Sequence, residues 1–254
     1  MFEDVKNENN TALVDEQAMI EPTLLDELIK AGVLYGRKKS KTHPRMQKYI
    51  FTTRNGIEII DVAQTMALAD KAAEFLKSIA QSGGLILCVG TTPPSKEAVK
   101  GLAEKFSYPY VTERWLGGTL TNWKTIHQRI QYYIKLKADR SAGRLEKYTK
   151  KERIQFDKEI ARLDILLSGL ETLTKLPEAI VVSGATSHII AIREARRLKI
   201  PIVGILSSDA DPDLIDYPIP ANDRAKSSIL WILERLKKAI EEGKTSPIKT
   251  ETAK

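Results

Sequence analysis

A glycine pair near the middle of the chain is the first candidate for chemistry. Gly117 and Gly118 follow a short strand-like stretch at residues 110–112 and lead into a helical pattern. Backbone N–H groups at such a junction can cradle a phosphate group, as they do in nucleotide-binding enzymes. However, Trp115 and Trp123 flank the pair, and the chain turns strongly basic just after it. The segment is therefore either a nucleotide loop or the base of an RNA-binding arm.

The other patterns that could bind a nucleotide or a metal ion are incomplete. Residues 90–96 contain a glycine, a lysine and a helix start, but they lack the second glycine of a Walker loop. Pro93 and Pro94 also remove two N–H donors. Three acids at alternate positions could attract a cation: Asp209, Asp211 and Asp213. Without a loop glycine, this pattern favours a turn over a metal site. We predict no catalysis, cofactor or metal site, and keep nucleotide binding by residues 90–96 as the alternative.

The positive charge of the chain is concentrated in two segments. The formal net charge is +7, although residues 1–29 contain eight Asp or Glu and one Lys. Residues 37–54 contain seven Lys or Arg and no acid, and residues 124–162 contain twelve Lys or Arg against five acids. Such segments indicate a polyanion partner, because each cation that meets a phosphate releases condensed counterions. A solvated surface is the simpler alternative.

Specific cations of these segments are predicted to contact RNA. The first segment contributes Arg37, Lys38, Lys39, Lys41, Arg45, Lys48 and Arg54. The second contributes Lys135, Lys137, Arg140, Arg144, Lys150 and Lys151. Between residues 32 and 46 we expect irregular backbone, interrupted by Pro44, that moulds to folded RNA. Its aromatic residues either stack on bases or pack on the sheet: Tyr35, Tyr49 and Phe51.

Strands and helices alternate along most of the chain. Asp61 can cap a helix with apolar residues at helical spacing, which ends at Gly83 and Gly84. Apolar runs predict strands at residues 57–61, 85–89, 179–182, 202–206 and 217–219. The predicted later helices cover residues 95–106, 188–199 and the region from about 224. This alternation indicates an α/β fold with a parallel sheet covered on both faces.

Residues 121–173 interrupt that alternation. Thr149 and Glu152 form a capping box, and the helix that follows has a heptad seam: Phe156, Ile160, Leu163, Leu167 and Leu170. We predict an inserted antiparallel, coiled-coil helical hairpin with its turn at residues 139–143. The hairpin presents its cations either to RNA or to a protein partner. The α/β domain then comprises residues 21–120 and 174–243, with an acidic, disordered leader at 1–20 and a flexible tail at 244–254.

Several motifs together resemble one family. They are Ala31–Gly36, Pro44-Arg45-Met46, the complete Arg114–Trp123 segment, Leu176–Ala179, Ile200-Pro201, Asp211-Pro212 and Ile219–Asp223. In this order and spacing they resemble the bacterial-type small-subunit ribosomal protein "S-two" family over roughly residues 22–243. Leu34 and Arg37 replace two histidines that are frequent in the family, so a metal role is not expected.

The resemblance implies a flavodoxin-like three-layer domain with an inserted helical hairpin. It implies a non-enzymatic, structural protein of the small ribosomal subunit that binds small-subunit rRNA. The implied protein partners are neighbouring ribosomal proteins, including the large mRNA-binding protein "S-one", and no membrane is involved. The expected location is a cytoplasmic ribosome, and the sequence does not distinguish it from an organellar one.

The resemblance also changes the interpretation of the glycine pair. We expect Gly117 and Gly118 to permit a tight turn between the sheet and the hairpin. Trp115, Leu116 and Trp123 would then wedge the base of the hairpin against the domain. Asn122 belongs to the same motif, and Arg114 is expected to reach RNA from this corner.

Overall fold

The computed structural model describes residues 22–245, with side chains from residue 24 onward. The predicted leader at 1–20 and residues 246–254 of the predicted tail lie outside these residues. The described chain begins with helix α1, Pro22–Ala31, whose apolar side chains Leu25 and Leu28 are buried. Gly32 follows in the left-handed conformation, with φ of +71°, and turns the chain into the first strand.

Residues 35–60 form a small antiparallel sheet. Its strands are β1 (Tyr35–Lys38), β2 (Ile50–Arg54) and β3 (Ile57–Ile60), in the order β1-β3-β2. Two 3-10 turns connect β1 to β2, at Lys39–Lys41 and Pro44–Tyr49. The expectation of irregular backbone between residues 32 and 46 is therefore wrong for β1, and no strand was predicted at β2. These strands are short and lack alternation of apolar and polar residues, and the pairing of each with β3 contains an irregularity in register.

The main sheet is parallel and has five strands, in the order β5-β4-β6-β7-β8. The strands are β4 (Ile86–Val89), β5 (Tyr110–Val111), β6 (Ala179–Ser183), β7 (Ile202–Leu206) and β8 (Tyr217–Pro220). The mixed α/β class and the parallel sheet are thus confirmed. The strand order reverses between β4 and β6, so the loops after these two strands meet at the carboxyl edge, where α/β sheets usually bind ligands.

The remaining helices match the predicted ones to within about two residues at most of their ends. They are α2 (Val62–Gln81), α3 (Pro93–Phe106), α4 (Trp123–Ser141), α5 (Lys150–Leu167), α6 (Ile189–Arg197) and α7 (Lys226–Thr245). Asp61 caps α2 as predicted, because its Oδ1 accepts hydrogen bonds from the backbone N–H groups of Ala63 and Gln64. Within residues 22–245, no helix is both long and apolar enough to cross a bilayer.

Strand side chains alternate between two cores, one on each face of the main sheet. On one face, Cys88 and Val181 pack with α2, α3 and α7, which we call the first helical layer. On the other face, Leu87 and Val182 pack with α6 and with the sheet-proximal parts of α4 and α5, which form the second helical layer. The three central strands β4, β6 and β7 are buried on both faces, which explains their nearly continuous apolar sequences.

Helices α4 and α5 run antiparallel. Near the end of α4, the Nε of Arg140 lies 3.1 Å from Asp157 in the first half of α5. Tyr133, earlier in α4, donates a hydrogen bond to Asp164, later in α5. The predicted capping box is present at the start of α5. Most of the predicted seam is buried: Ile160, Leu163, Leu167 and Leu170.

Candidate nucleic-acid interface

The loop between β5 and α4 is organised around one carboxylate. Glu194 of α6 is 8% exposed. Its Oε1 accepts hydrogen bonds from the indole Nε1 of Trp115 at 3.0 Å and from the N–H of Gly118 at 2.8 Å. Its Oε2 accepts from the N–H groups of Leu120 at 3.0 Å and Thr121 at 3.2 Å, and from the Thr121 hydroxyl. A cradle of backbone N–H groups is present, but it holds an internal carboxylate and no external phosphate.

The ionised form of Glu194 is favoured. Burial alone raises the pKa of this carboxyl group, but the hydrogen bonds from Trp115 and from the backbone of the loop outweigh burial, so the pKa is lowered from the ordinary glutamate value. An acceptor with two oxygens and several donors is well matched to a charged carboxylate. The loop is therefore tied to α6 by charge-assisted hydrogen bonds.

The two glycines of the loop have different roles. Gly118 has φ of +90°, a conformation that other residues rarely adopt, and its carbonyl accepts a hydrogen bond from the N–H of Asn122 at 2.8 Å. Gly117 is exposed, lacks a positive φ, and a Cβ added there would meet nothing within 4 Å. The expectation that both glycines are needed for the turn is therefore wrong for Gly117.

The apolar residues of the motif pack at the base of the α4–α5 pair. Trp115, Leu116 and Trp123 are partly buried against the core of the second helical layer. The ring of Trp123 lies 5.0 Å from the ring of His127, one turn further along α4. These contacts join the start of α4 to the core of the second helical layer.

The alternative nucleotide loop has no spare donors at its helix start. Pro93 and Pro94 occupy the first two helical positions of α3, and the N–H groups of Ser95 and Lys96 both donate to the carbonyl of Thr92. The ammonium group of Lys96 is 2.7 Å from Glu113. A phosphate at this position would meet neither free N–H groups nor an unpaired lysine, so the geometry argues against nucleotide binding.

His188 lies at the carboxyl edge of the main sheet and contacts the loops that follow β4 and β6. Its Nδ1 lies 2.7 Å from the carbonyl oxygen of Gly184, and its Nε2 accepts a hydrogen bond from the N–H of Thr91 at 2.9 Å. Because a carbonyl only accepts, the ring carries its proton on Nδ1 and is neutral. Burial lowers the pKa of His188 and favours the same state. This histidine therefore links the β4 and β6 loops and has no free lone pair for a metal ion.

Arg37 differs from the other cations predicted to contact RNA. Its side chain is 13% exposed, with the guanidinium 2.6 Å from Asp223 and 3.4 Å from Asp209. Burial raises the pKa of Asp223, and the charge of Arg37 acts in the opposite direction. The backbone N–H of Arg37 donates to Ser208 Oγ. Arg37 thus fastens the small sheet to the carboxyl edge of the main sheet.

The acidic loop after β7 pairs with the first basic segment. Arg45 lies 3.0 Å from Asp211 and 3.3 Å from Asp213, and Lys48 lies 3.9 Å from Asp213. Asp211 also accepts a hydrogen bond from the N–H of Asp213 in a short 3-10 turn, as the sequence pattern favours. No cluster of residues able to hold a metal ion is found within residues 22–245.

Other predicted cations are exposed and have no carboxylate within ion-pair distance among the described residues. They are Lys38, Lys39, Lys41, Arg114, Lys135, Lys150 and Lys151. Three more form exposed ion pairs on the α4–α5 pair: Lys137 with Glu171, Arg140 with Asp157 and Arg144 with Asp139. Arg54 ends β2 opposite Ile57. Exposed ion pairs contribute about 0–1 kcal/mol, so phosphate groups can compete for these three cations.

Comparison with known proteins decides the family. A family model described as ribosomal protein S2 matches residues 28–243. The chain belongs to the ribosomal protein S2 family. It is 44% identical over 209 residues to the small ribosomal subunit protein uS2 of Thermus thermophilus, which covers 82% of each chain. It is 41% identical over 219 residues to the uS2 protein of Nocardia farcinica, or 86% of this chain and 77% of that one.

A third uS2 protein, from Rhodococcus opacus, is 40% identical over 219 residues, which is 86% of this chain and 76% of the relative. The predicted resemblance is therefore confirmed, and the function is that of a structural ribosomal protein S2, not of an enzyme. The matched region includes the loop between β5 and α4 (residues 112–122, called the motif loop below), both helical layers and the small sheet.

Sequence reasoning missed Glu194 and gave His188 no role. Glu194 lies in a helix with four neighbouring cations, and a lone acid in such a pattern is usually a solvated ion-pair partner. Its position on the apolar side, between Ile192 and Ala195, was the available signal. In the ribosomal protein S2 fold, this position faces the motif loop, about 75 residues earlier in the chain.

Proposed function

We propose that the protein binds small-subunit rRNA through the exposed cations of the α4–α5 pair and of the small sheet. The observation that carries this proposal is the set of exposed Lys and Arg side chains that have no carboxylate partner within residues 22–245, in a chain of the ribosomal protein S2 family. The free candidates are Lys38, Lys39, Lys41, Arg114, Lys135, Lys150 and Lys151.

The contacts proposed for these cations are with phosphate groups. Lys is a flexible point charge that suits phosphates, and it carries no information on base sequence. Lys137, Arg140 and Arg144 exchange exposed carboxylates for phosphates at little cost. Arg37 keeps its buried carboxylates, because removing it would leave charges without a partner in a poorly hydrated site. Its proposed role is therefore to hold the small sheet in place.

We also propose that the protein helps dock neighbouring ribosomal proteins, including the large mRNA-binding protein "S-one", within a ribosome of the bacterial cytoplasm. The α4–α5 pair and its connecting loop expose four large apolar or aromatic side chains to solvent: Tyr132, Tyr148, Ile154 and Ile165. Ile165 is 61% exposed. Exposed apolar side chains on a protruding helical pair support a protein contact beside the RNA contact.

Sedimentation tests the ribosomal assignment directly. In a sucrose gradient of a native lysate, we expect the protein to migrate with small subunits. Protein found only in the free fractions at the top of the gradient would overturn the proposal.

Salt dependence tests the proposed RNA contact. Fluorescently labelled full-length protein is titrated into small subunits stripped of their own copy by a salt wash. The logarithm of the affinity should fall linearly with the logarithm of KCl concentration, with a slope of about −0.7 to −0.9 for each phosphate contacted. An affinity that does not change between 50 and 300 mM KCl, roughly the range in which such contacts weaken most, would contradict phosphate recognition.

A further inference from the structure

Helix α6 carries a group of cations that lies outside both basic segments of the sequence. Arg193, Arg196, Arg197 and Lys199 occur within seven residues, and all four are exposed. Arg196 donates a hydrogen bond to the backbone carbonyl of Asp213 at 2.6 Å. The other three have no carboxylate within ion-pair distance among the described residues.

The sequence understates the positive surface charge of α6. In a count of charges along the helix, Glu194, its only acid, cancels one of the cations. In the structure its carboxylate points inward and accepts hydrogen bonds from the motif loop. The negative charge of Glu194 is thereby removed from the surface, and the charged side chains that α6 exposes are all cations.

The nearby acids of the adjacent loop are also occupied. Asp213 pairs with Arg45 and Lys48, and Asp216 accepts a hydrogen bond from the N–H of Ile202. Among residues 22–245, the cations of α6 therefore form no ion pair. Ile190 lies one turn before Arg193 on the same stripe, and its side chain is 57% exposed.

We propose that the outward face of α6, together with Lys199 just after the helix, is a second RNA surface, in which Arg193 and Arg197 contact phosphate groups beside Ile190. This inference rests on the proposed rRNA binding and extends it to residues outside the two basic segments. Arg193 and Arg197 lie four residues apart on α6, about 6 Å along the axis, so they present two guanidinium groups along one line.

The position of the face favours RNA over a protein partner. Glu194 connects α6 to the loop that follows Arg114, an exposed cation without a partner among the described residues, and the α4–α5 pair lies in the same helical layer. Arg114, the cations of α6 and those of the α4–α5 pair thus lie on the same side of the main sheet. An acidic protein segment is the other class of ligand with matching charge, and the experiment separates the two.

The cations of α6 could also serve only to stabilise the helix, and this role makes a different prediction from RNA binding. Cations near the end of a helix stabilise it by about 0.3–1 kcal/mol through the helix dipole. That role fits Arg196 and Arg197 in the last turn, but it does not account for Arg193 in the middle of the helix. A structural role predicts lower thermal stability with unchanged RNA binding.

The test compares three double variants of the full-length protein on small subunits stripped of their own copy. The variant Arg193→Gln/Arg197→Gln removes the proposed surface, and Lys150→Gln/Lys151→Gln removes two cations of the hairpin. The control Lys71→Gln/Lys238→Gln removes two exposed cations from α2 and α7, on the opposite face of the sheet. Affinity is measured at several KCl concentrations, and folding is checked by thermal melting.

We expect the α6 variant to lose about tenfold in affinity at 0.1 M KCl and to reduce the magnitude of the salt slope by about 1.4–1.8, since two phosphate contacts are lost. The control should match the wild type in both. If the hairpin variant loses affinity and the α6 variant does not, the α6 surface is refuted while rRNA binding stands. If neither variant loses affinity, the proposed function itself fails.

Crosslinking identifies the ligand class. A photoreactive phenylalanine analogue is placed at position 190 of the full-length protein, which is then assembled into small subunits and irradiated. A crosslink to rRNA supports the proposal. A crosslink to a ribosomal protein, or no crosslink above that of the same analogue at position 238 of α7, would overturn it.

Discussion

The two helical layers contain the same types of charged residue but use them differently. In the first layer, cations of one helix meet acids of the next: Arg235 with Asp70, Lys77 with Glu242, Lys105 with Glu241 and Lys226 with Glu97. In the second layer, many cations have no such partner among the described residues, including Lys135, Lys150, Lys151, Arg193 and Arg197.

Part of the difference arises from where one acid points. In the second layer, Glu194 is buried under the motif loop and accepts hydrogen bonds from its backbone. Its negative charge is thereby withdrawn from a surface on which Arg193 and Arg197 stay exposed. The comparison shows that net surface charge depends on which residues are used internally as well as on composition.

The largest expected effect comes from removing the internal acid of the second layer. Glu194→Ala leaves the donors of Trp115, Gly118, Leu120 and Thr121 without their acceptor. Each buried donor without a partner costs about 1–3 kcal/mol, and partial hydration reduces the sum, so we expect a loss of about 3 kcal/mol in the free energy of unfolding. Urea unfolding followed by tryptophan fluorescence measures it.

The matched control is Glu234→Ala on α7, an exposed acid that pairs with Lys237, for which we expect a change below about 1 kcal/mol. The pH dependence provides a second check. Because the pKa of Glu194 is lowered in the folded state, its stabilisation is present above the unfolded pKa of roughly 4.3 and is lost as the pH falls through the folded value. The advantage of the wild type over Glu194→Gln should therefore shrink between pH 6 and pH 3; an advantage that stays constant argues against this role.

The glycine pair of the motif loop gives the next largest effect. Gly118→Ala places a Cβ on a residue with φ of +90°, within 3.2 Å of the side chain of Asn122, and we expect a loss of about 1–2 kcal/mol. Gly117→Ala should change stability by less than about 0.5 kcal/mol, because its Cβ meets nothing nearby. Equal losses in thermal unfolding of the two variants would show that the loop conformation is not the one described.

The free cations of the second layer should affect binding without affecting stability. For Lys150→Gln/Lys151→Gln we expect about a tenfold loss of affinity for stripped small subunits at 0.1 M KCl, since each lysine is proposed to contact a phosphate. The melting temperature should stay close to that of the wild type, because both side chains are exposed and unpaired among the described residues. A large fall in melting temperature with unchanged affinity would reverse the interpretation of this layer.

The smallest effect is expected in the first layer. Asp70→Asn removes the acid that Arg235 contacts at 2.6 Å, and both side chains are at least one-third exposed. An exposed pair of this kind contributes about 0–1 kcal/mol. We expect a change of about 0.5 kcal/mol in urea unfolding and no change in affinity for stripped subunits. A loss of affinity here would mean that the first layer also contacts RNA.

Local patterns predicted most of the repeated elements of the fold. Asp61, the Thr149–Glu152 capping box and the apolar strand runs act over a few residues, so they can be recognised directly in the sequence. Strands β1 and β2 of the small sheet were missed because they are short, are separated by eleven residues and are held by β3 and by contacts with the loop after β7. Their conformation depends on partners that are distant in the sequence.

The candidate site shows the same division. The family of the chain, the position of the motif loop and many cations of the site can be predicted from residue types and their order, because these are local properties of the sequence. The inward position of Glu194, the ion pairs of Arg37 with Asp209 and Asp223, and the cationic face of α6 depend on side chains that are far apart in sequence. Whether a charge faces RNA or another side chain is a matter of proximity in three dimensions, and only the folded chain brings those groups together.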